Sequence, residues 1–354
     1  MIKRIYKKVN QLRKQVYLNN ALYKTKKKYA FVGFGMHSLS NLFPILTHFG
    51  IAIKFICTKE SVIPESIQSQ FPGSVFIHDL GIISNDQDVE AVFVSADPGS
   101  HARILMELLK AGKKVFIEKP PCADGKELEQ IIQTNAGAVV FVGLQRRFWP
   151  GNKYLHKVKE KARSYIYRFY FGSYPQGDPF SELFIHAVDY CIFIFGAFEI
   201  LSISHQIYNK GITLQIHVKH HNGITGLIEL STHYSWNDPV DAMSIQCVDE
   251  LLEIRYPVSV EGRLKPGRIL NIPSERLLHK PVITKQYFSV SNLIIPSFDL
   301  NTLVLQGFFD EIRSFIELVE KGKPSRYVND LIGLKSVYQV LDELRALAYP
   351  TASL

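Results

Sequence analysis

No stretch of the chain approaches the roughly 18 consecutive apolar residues that a membrane-spanning helix needs. The apolar runs, such as Val89 to Ala96, are short and broken. The first residues, Met-Ile-Lys-Arg, lead into a basic, polar stretch of 28 with no apolar core and no small-residue cleavage site, so no secretory signal is expected. Cysteine is scarce. Cys57, Cys122, Cys191 and Cys247 lie far apart and form no C-x-x-C pair, and Cys57 and Cys191 sit inside apolar runs. That pattern reads as free buried thiols in a reducing cytoplasm rather than as disulfides or a zinc site. His78, His205, His220 and His221 have no clustered ligands at useful spacing, so no metal is expected. Acid is missing from residues 1–28, which carry ten lysines and arginines, so the rest of the chain sums to −2 against +8 for the whole. The basic character belongs to an arm, and a nucleic-acid groove across the body is not expected.

What is present is an ordinary globular composition, 46% hydrophobic and 21% charged over 354 residues, a length that usually divides into two domains. After the arm, strands and helices alternate. Strands are expected at Tyr29 to Val32, Ile53 to Cys57, Ser74 to Ile77, Val89 to Ser95, Lys114 to Ile117 and Val139 to Gly143. Helices are expected at His37 to His48, His101 to Lys110 and Asp124 to Thr134. Near-continuous apolar strands alternating with helices mean a parallel sheet covered on both faces. Beyond about residue 150 the rhythm changes to strands of alternating polarity at Ser164 to Gly172, Leu201 to Tyr208, Thr213 to Lys219, Gly226 to His233 and Met243 to Val248. One helix, Ser181 to Phe195, interrupts them, and two more, Leu303 to Lys321 and Asn329 to Leu347, close the chain. The expected fold class is α/β, an N-terminal doubly wound Rossmann sheet plus a C-terminal α+β domain on an open, mostly antiparallel sheet. The expected boundaries are 1–28 for the arm, 29–148 for the dinucleotide domain and 149–354 for the substrate domain with the C-terminal helices.

The first strand runs into Gly33-Phe34-Gly35-Met36-His37-Ser38. Gly33 permits a tight turn, Gly35 lets the backbone approach a pyrophosphate, and the helix that follows offers unpaired N–H groups to phosphate. Ser38 stands where a third small residue serves helix–strand packing. The second strand ends Ile56-Cys57-Thr58-Lys59 with no acid at its tip. An acid there would hold an unphosphorylated ribose. A hydroxyl and an ammonium suit a 2′-phosphate, so NAD(P) is the expected cofactor with NADP(H) favoured over NAD(H). The alternative is that Lys59 is a solvated loop residue.

Phe116-Ile117-Glu118-Lys119-Pro120 is the deciding segment, a lysine between glutamate and proline at the carboxyl edge of the sheet, where ligands bind in open α/β folds. With it the sequence resembles the glucose-fructose oxidoreductase/inositol dehydrogenase (Gfo/Idh/MocA) family, from residue 29 to about 347. Asp97-Pro98-Gly99-Ser100-His101 resembles that family's turn and histidine beside the nicotinamide. Val142-Gly143-Leu144-Gln145-Arg146-Arg147-Phe148 resembles its crossover between domains, and Glu182-Leu183-Phe184-Ile185-His186-Ala187-Val188-Asp189 its active-site helix. Two departures stand in that helix: Glu182 replaces the usual aspartate, and Phe184 the glycine that follows.

Glu182, His186 and Asp189 fall at i, i+4 and i+7 on one helix face, against apolar Phe184, Val188, Cys191, Ile192 and Phe195. For His186 the alternative is a core histidine bonded to Asp189. The resemblance implies Lys119, His186 and Glu182 as catalytic residues and Arg147, Glu182 and Asp189 as substrate ligands. It implies Gly33, Gly35, Met36, His37, Ser38, Thr58, Lys59, Ala96, Pro98, His101, Glu118 and Lys119 around the cofactor. Lys119 would stabilise negative charge on the reacting oxygen, His186 would move the hydroxyl proton, and Glu182 would fix the polyol or orient the lysine. The substrate implied is a sugar or nucleotide sugar, in surface polysaccharide biosynthesis. The competing readings are a dinucleotide- and sugar-binding regulatory protein without turnover, and a reductase of a non-sugar ring. A homo-oligomer through the open sheet face is expected.

In the arm, Ile2, Ile5, Val9, Leu12 and Val16 keep 3-4-3-4 spacing with most of the bases between them. Such a helix suits weak contact with an anionic membrane surface, placing a cytoplasmic protein peripherally at the inner face. It also suits a short coiled coil, or a frayed helix or tail.

Overall fold

A computed structural model describes residues 2–21, 25–60, 62–155, 160–174, 177–277, 283–290, 301–327 and 329–349. In chain order the first half carries α1 (Ile2–Ala21), β1 (Lys28–Val32), α2 (Phe43–His48), β2 (Ile53–Cys57), α3 (Glu65–Gln68), β3 (Val75–Ile77), α4 (Leu80–Asn85), β4 (Val89–Val94), α5 (Pro98–Lys110), β5 (Lys114–Glu118), α6 (Gly125–Thr134) and β6 (Val140–Gly143). The second half continues with α7 (Asn152–Leu155), β7 (Ala162–Tyr170), α8 (Ile185–Phe195), β8 (Phe198–Tyr208), β9 (Gly211–His220), β10 (Thr225–Ser231), β11 (Val240–Cys247), β12 (Glu250–Arg255) and β13 (Ser259–Leu264). It ends with the small pair β14 (Arg268–Ile269) and β15 (Ile272–Pro273), then β16 (Ile283–Ser289), α9 (Thr302–Leu305), α10 (Phe308–Lys321) and α11 (Lys335–Ala348). The chain divides into two compact units, residues 1–123, 129–143 and 308–331 in one, and 124–128, 144–307 and 332–354 in the other.

The first unit is built on six strands in the order β3-β2-β1-β4-β5-β6, all pairs parallel. Their residues are apolar on both faces because helices cover both: Tyr29, Ala30, Phe31, Val92, Phe93, Phe116 and Ile117 have no exposed surface. The strand order reverses between β1 and β4, the crevice where an open α/β sheet takes its ligand. The helix expected at His37 to His48 begins instead as a wide π turn, Ser38–Leu42, and becomes α-helical only at α2. Pro44, in the first turn of α2, has no N–H to continue a regular ladder backwards.

Two boundaries are corrected. Lys28 opens β1 instead of closing the arm, and Lys27 and Lys28 pair with Glu90 and Asp88. More substantially, residues 308–331 belong to the first unit and not to a substrate domain running from 149 to 354. The reason is the apolar stripe of α10. Phe315 packs its ring 5.2 Å from Phe93, 5.7 Å from Phe116 and 5.9 Å from Phe141, while Phe309 lies 4.6 Å from Phe49. Glu320 at the far end of α10 accepts the Tyr29 hydroxyl at 2.9 Å.

The second unit holds an eight-stranded sheet, order β16-β13-β12-β11-β7-β10-β9-β8. Only β7 and β10 run parallel; the other neighbours are antiparallel. Burial alternates along its strands, as in β9, where Leu214, Ile216 and Val218 are buried while Gln215 and His217 are exposed. One face is therefore core and the other open. On the open face Leu227 of β10 stands directly beside Ile166 of β7, both exposed. β12, β13 and β16 extend the sheet beyond the strands expected from sequence. The Leu303 to Lys321 helix is two helices, α9 and α10, broken at Gly307, whose φ is +96°.

Candidate active site

A cleft of about 720 Å³ opens in the first unit at the carboxyl ends of its strands, a size typical of cofactor pockets. The turn after β1 forms its floor. Gly33 sits at φ +103°, and a Cβ there would lie 2.0 Å from the Ser95 carbonyl oxygen, so only glycine fits where the chain crosses the end of β4. A Cβ on Gly35 would meet nothing within 4 Å; its missing side chain faces open space. Ser38 is buried and donates its hydroxyl to Ser95 O at 3.3 Å, the close helix–strand packing expected of a small residue there. These features fit a dinucleotide: a turn with glycine on either side of Phe34, room at Gly35 for a pyrophosphate, and enough volume for the rest.

Every residue expected around the cofactor lines this cleft: Gly33, Gly35, Met36, His37, Ser38, Thr58, Lys59, Ala96, Pro98, His101, Glu118 and Lys119. At the tip of β2, Thr58 is buried, with its hydroxyl accepting from Glu60 N at 3.2 Å, and Lys59 reaches the Ser100 hydroxyl at 3.4 Å. His78, Asp79, Arg103 and Glu107 also line the cleft. Sequence reading missed them because no short motif marks them. His78 is held by donating from Nδ1 to Thr58 O at 3.1 Å, since that carbonyl can only accept. Burial, with Asp79 and Glu107 nearby, pushes the Cys57 thiol pKa up and keeps it protonated.

Around Lys119 the backbone is pinned by His101. Its ring is almost fully buried. Ala96 N–H can only donate, so it donates to Nε2 at 3.3 Å, and Nδ1–H donates to Pro120 O at 2.7 Å. Burial lowers the His101 pKa and holds this neutral tautomer. With both ring nitrogens engaged, His101 is a positioning residue for the Lys119-Pro120 segment. Glu118, also buried, has His37 Nε2 3.4 Å from its carboxylate. Gly143, its partner across β5 and β6, leaves the space this carboxylate occupies: a Cβ there would lie 3.1 Å from it.

The remaining expected residues lie in the second unit. The helix expected from Ser181 starts as a π turn, Phe180–Phe184, and becomes α8 at Ile185. The regular i, i+4, i+7 face for Glu182, His186 and Asp189 is corrected accordingly, because a π turn spreads its residues differently. Glu182 accepts the Tyr174 hydroxyl at 2.7 Å and Asp178 N at 3.0 Å. Burial, and then that hydrogen bond, raises the Tyr174 pKa. Asp189 is buried with both oxygens on Arg147, Nε to Oδ2 at 3.1 Å and Nη2 to Oδ1. His186, one turn before Asp189 in α8, keeps some exposure. Arg147 comes from a 3₁₀ turn, Gln145–Phe148, whose Arg146 is paired in turn with Asp241 and lies 4.4 Å from the Tyr256 ring centre. Arg147 and Asp189 neutralise one another. Among the described residues, no group of three His, Cys, Asp or Glu side chains is placed to hold a metal ion, and no helix is long and apolar enough to cross a membrane.

Known proteins resemble this chain in part of its sequence and in its fold. The chain is 36% identical over 67 residues to scyllo-inositol 2-dehydrogenase (NADP(+)) of Bacillus subtilis, a stretch covering 19% of each chain. The match thus spans about a fifth of that relative's length. By fold the chain resembles a dehydrogenase from Chromobacterium violaceum, with a TM-score of 0.75 and 17% identity over 92% of this chain and 96% of that one. It also resembles the UDP-N-acetylglucosamine 3-dehydrogenase of Acidithiobacillus ferrooxidans, with a TM-score of 0.70 and 14% identity over 91% and 97%. At such identities the likeness is one of fold. Residues 27–144 match the oxidoreductase family model with an NAD-binding Rossmann fold. That match, to the Gfo/Idh/MocA oxidoreductase family, covers about a third of the chain, from the glycine turn through Lys119 to the end of β6.

Proposed function

We propose that the protein is a nicotinamide-dependent oxidoreductase that interconverts a hydroxyl and a keto carbon of a sugar or nucleotide sugar. The observation that carries this reading is Lys119 at the tip of β5, in the same cleft as Gly33, Gly35 and Ser38. A bound nicotinamide would accept or return the hydride. Lys119 donates a hydrogen bond to the substrate oxygen and stabilises its developing negative charge. An imidazole nitrogen of His186 takes the hydroxyl proton in oxidation and returns it in reduction. Glu182 fixes the substrate's hydroxyls. Arg147 and Asp189 hold α8 in place.

The finer reading favours NADP(H), because Lys59 supplies an ammonium where an acid would repel the 2′-phosphate. The nucleotide-sugar specificity of a fold neighbour supports a substrate of that class, used in building surface polysaccharide. Four free, buried cysteines support a reducing cytoplasm. Exposed Leu227 and Ile166 on the open sheet face support a homo-oligomer, which light scattering on the purified protein tests.

Cofactor fluorescence titration and turnover on a sugar panel test the main reading. Lys119→Met is expected to lose ~10²–10³ in rate with cofactor affinity unchanged; near-wild-type turnover removes Lys119 from the mechanism. Lys59→Asp is expected to weaken NADPH binding and spare NADH; tighter NADH binding by the wild type overturns the NADP preference. Cofactor retained through purification without turnover on any sugar assigns the protein to the regulatory, binding-only reading.

A further inference from the structure

We propose that α1 is a docking helix for an anionic lipid surface, lying in the plane of the headgroups with its apolar stripe turned into them. The helix runs from Ile2 to Ala21. At about 100° per residue, Ile2, Ile5, Val9, Leu12 and Val16 fall within an arc of about 80°. Lys3, Arg4, Lys7 and Lys14 fall on the opposite face, and Lys8 and Arg13 flank the stripe.

Among the described side chains of the stripe, Ile5 is 57%, Val9 45% and Leu12 56% exposed. Lys3, Arg4, Lys7, Lys8, Arg13 and Lys14 are exposed as well. The first acid in the chain is Glu60, so the helix has no internal counter-charge. Lys27 and Lys28, beyond the helix, are paired with Glu90 and Asp88.

The charge pattern selects the occupant. A second copy of the helix would bring bases against bases, with no acids beside the apolar seam to offset them. A nucleic acid would satisfy the bases and leave the stripe in water. An anionic lipid surface takes both, apolar residues below the headgroups and bases among them. The helix is too polar to cross the bilayer, in keeping with a peripheral contact.

The test is co-sedimentation of the full chain with phosphatidylglycerol-rich vesicles and with pure phosphatidylcholine vesicles, at low and high salt. Binding to the anionic vesicles alone is expected, weakened by salt because the attraction acts within a Debye length. The variant Lys3→Gln/Lys7→Gln/Lys14→Gln should lower partitioning about 100-fold, at roughly fivefold per base. Leu12→Asp should abolish vesicle binding while retention on a heparin column persists. Unchanged cofactor binding by both variants shows that the body is folded. Equal binding to neutral vesicles, or no binding to either, overturns the proposal. Vesicle binding indifferent to Leu12→Asp assigns the contact to the bases alone and overturns it too. A dimer that Leu12→Asp dissociates, without vesicle binding, assigns the stripe to a second copy instead.

Discussion

His101 ties α5 to the end of β5 by donating to the carbonyl of Pro120 at 2.7 Å, one residue beyond Lys119. The lysine's backbone is thus set by a neutral, buried imidazole that also receives Ala96 N–H at the end of β4. Two strand ends that flank the cleft are fixed through one ring.

Replacing His101 by Leu leaves a carbonyl and an N–H without partners, at about 1–3 kcal/mol for each buried group. Stability should fall by that order in urea. A positioning role also demands a kinetic signature: kcat should drop about tenfold or more while the cofactor dissociation constant moves only a few-fold. If kcat is unchanged once the variant is folded, His101 is structural only.

Much of the cleft was legible in the sequence because its residues lie at strand ends, where short motifs report backbone geometry directly. The glycine turn, the Thr58-Lys59 tip and the Glu118-Lys119-Pro120 segment all fall where the alternation of strands and helices puts them. What escaped depends on partners distant in sequence. The apolar period of α10 shows which face it buries, but only the packed Phe315 shows that it buries it against Phe93 and Phe116. Nothing local reveals that Arg147 and Asp189 answer each other across 42 positions. The π turns at Ser38–Leu42 and Phe180–Phe184 escaped because a regular helical period was assumed through both.

The two glycines of the turn should fail in different ways. Gly33→Ala meets both a left-handed φ of +103° and a carbonyl at 2.0 Å, so it should unfold or distort the first unit, at a few kcal/mol. Gly35→Ala has open space at its Cβ, so thermal unfolding should change little while cofactor affinity falls at least tenfold. Equal loss of stability in both variants would refute the assignment of Gly35 to cofactor approach.

The Arg147–Asp189 pair gives a third expectation. Both groups are buried, so removing one charge strands the other, and Arg147→Met or Asp189→Leu should each cost about 3–5 kcal/mol. The double variant should recover much of that loss, because an apolar pair replaces a buried ion pair. If the double variant is also active with an unchanged KM, the pair positions α8 and does not bind substrate. A stable double variant with KM raised many-fold would return Arg147 to the substrate.

The second unit should also weaken in acid through His220. Its ring is buried between β9 and the end of α8, donating from Nδ1 to Gly196 O at 2.7 Å and meeting the Tyr165 hydroxyl at Nε2, 3.0 Å away. The Gly196 carbonyl can only accept, so Nε2 is the free acceptor and the ring is neutral. Burial lowers its pKa from 6.5 to about 4. The unfolded chain therefore binds this proton first as pH falls. The stabilisation is fully present above pH 6.5 and is lost progressively as pH drops from there towards about 4. The gap corresponds to a contribution of at most about 3 kcal/mol. His101, in the first unit, shifts in the same direction. Urea midpoints measured above pH 6.5 and again at about pH 5 should show the wild type losing stability. His220→Gln should start lower, having lost the ring's packing against Tyr165 and Phe195, and should lose less on acidification. An equal acid loss in the variant would show that His220 binds its proton as readily in the fold as in the unfolded chain.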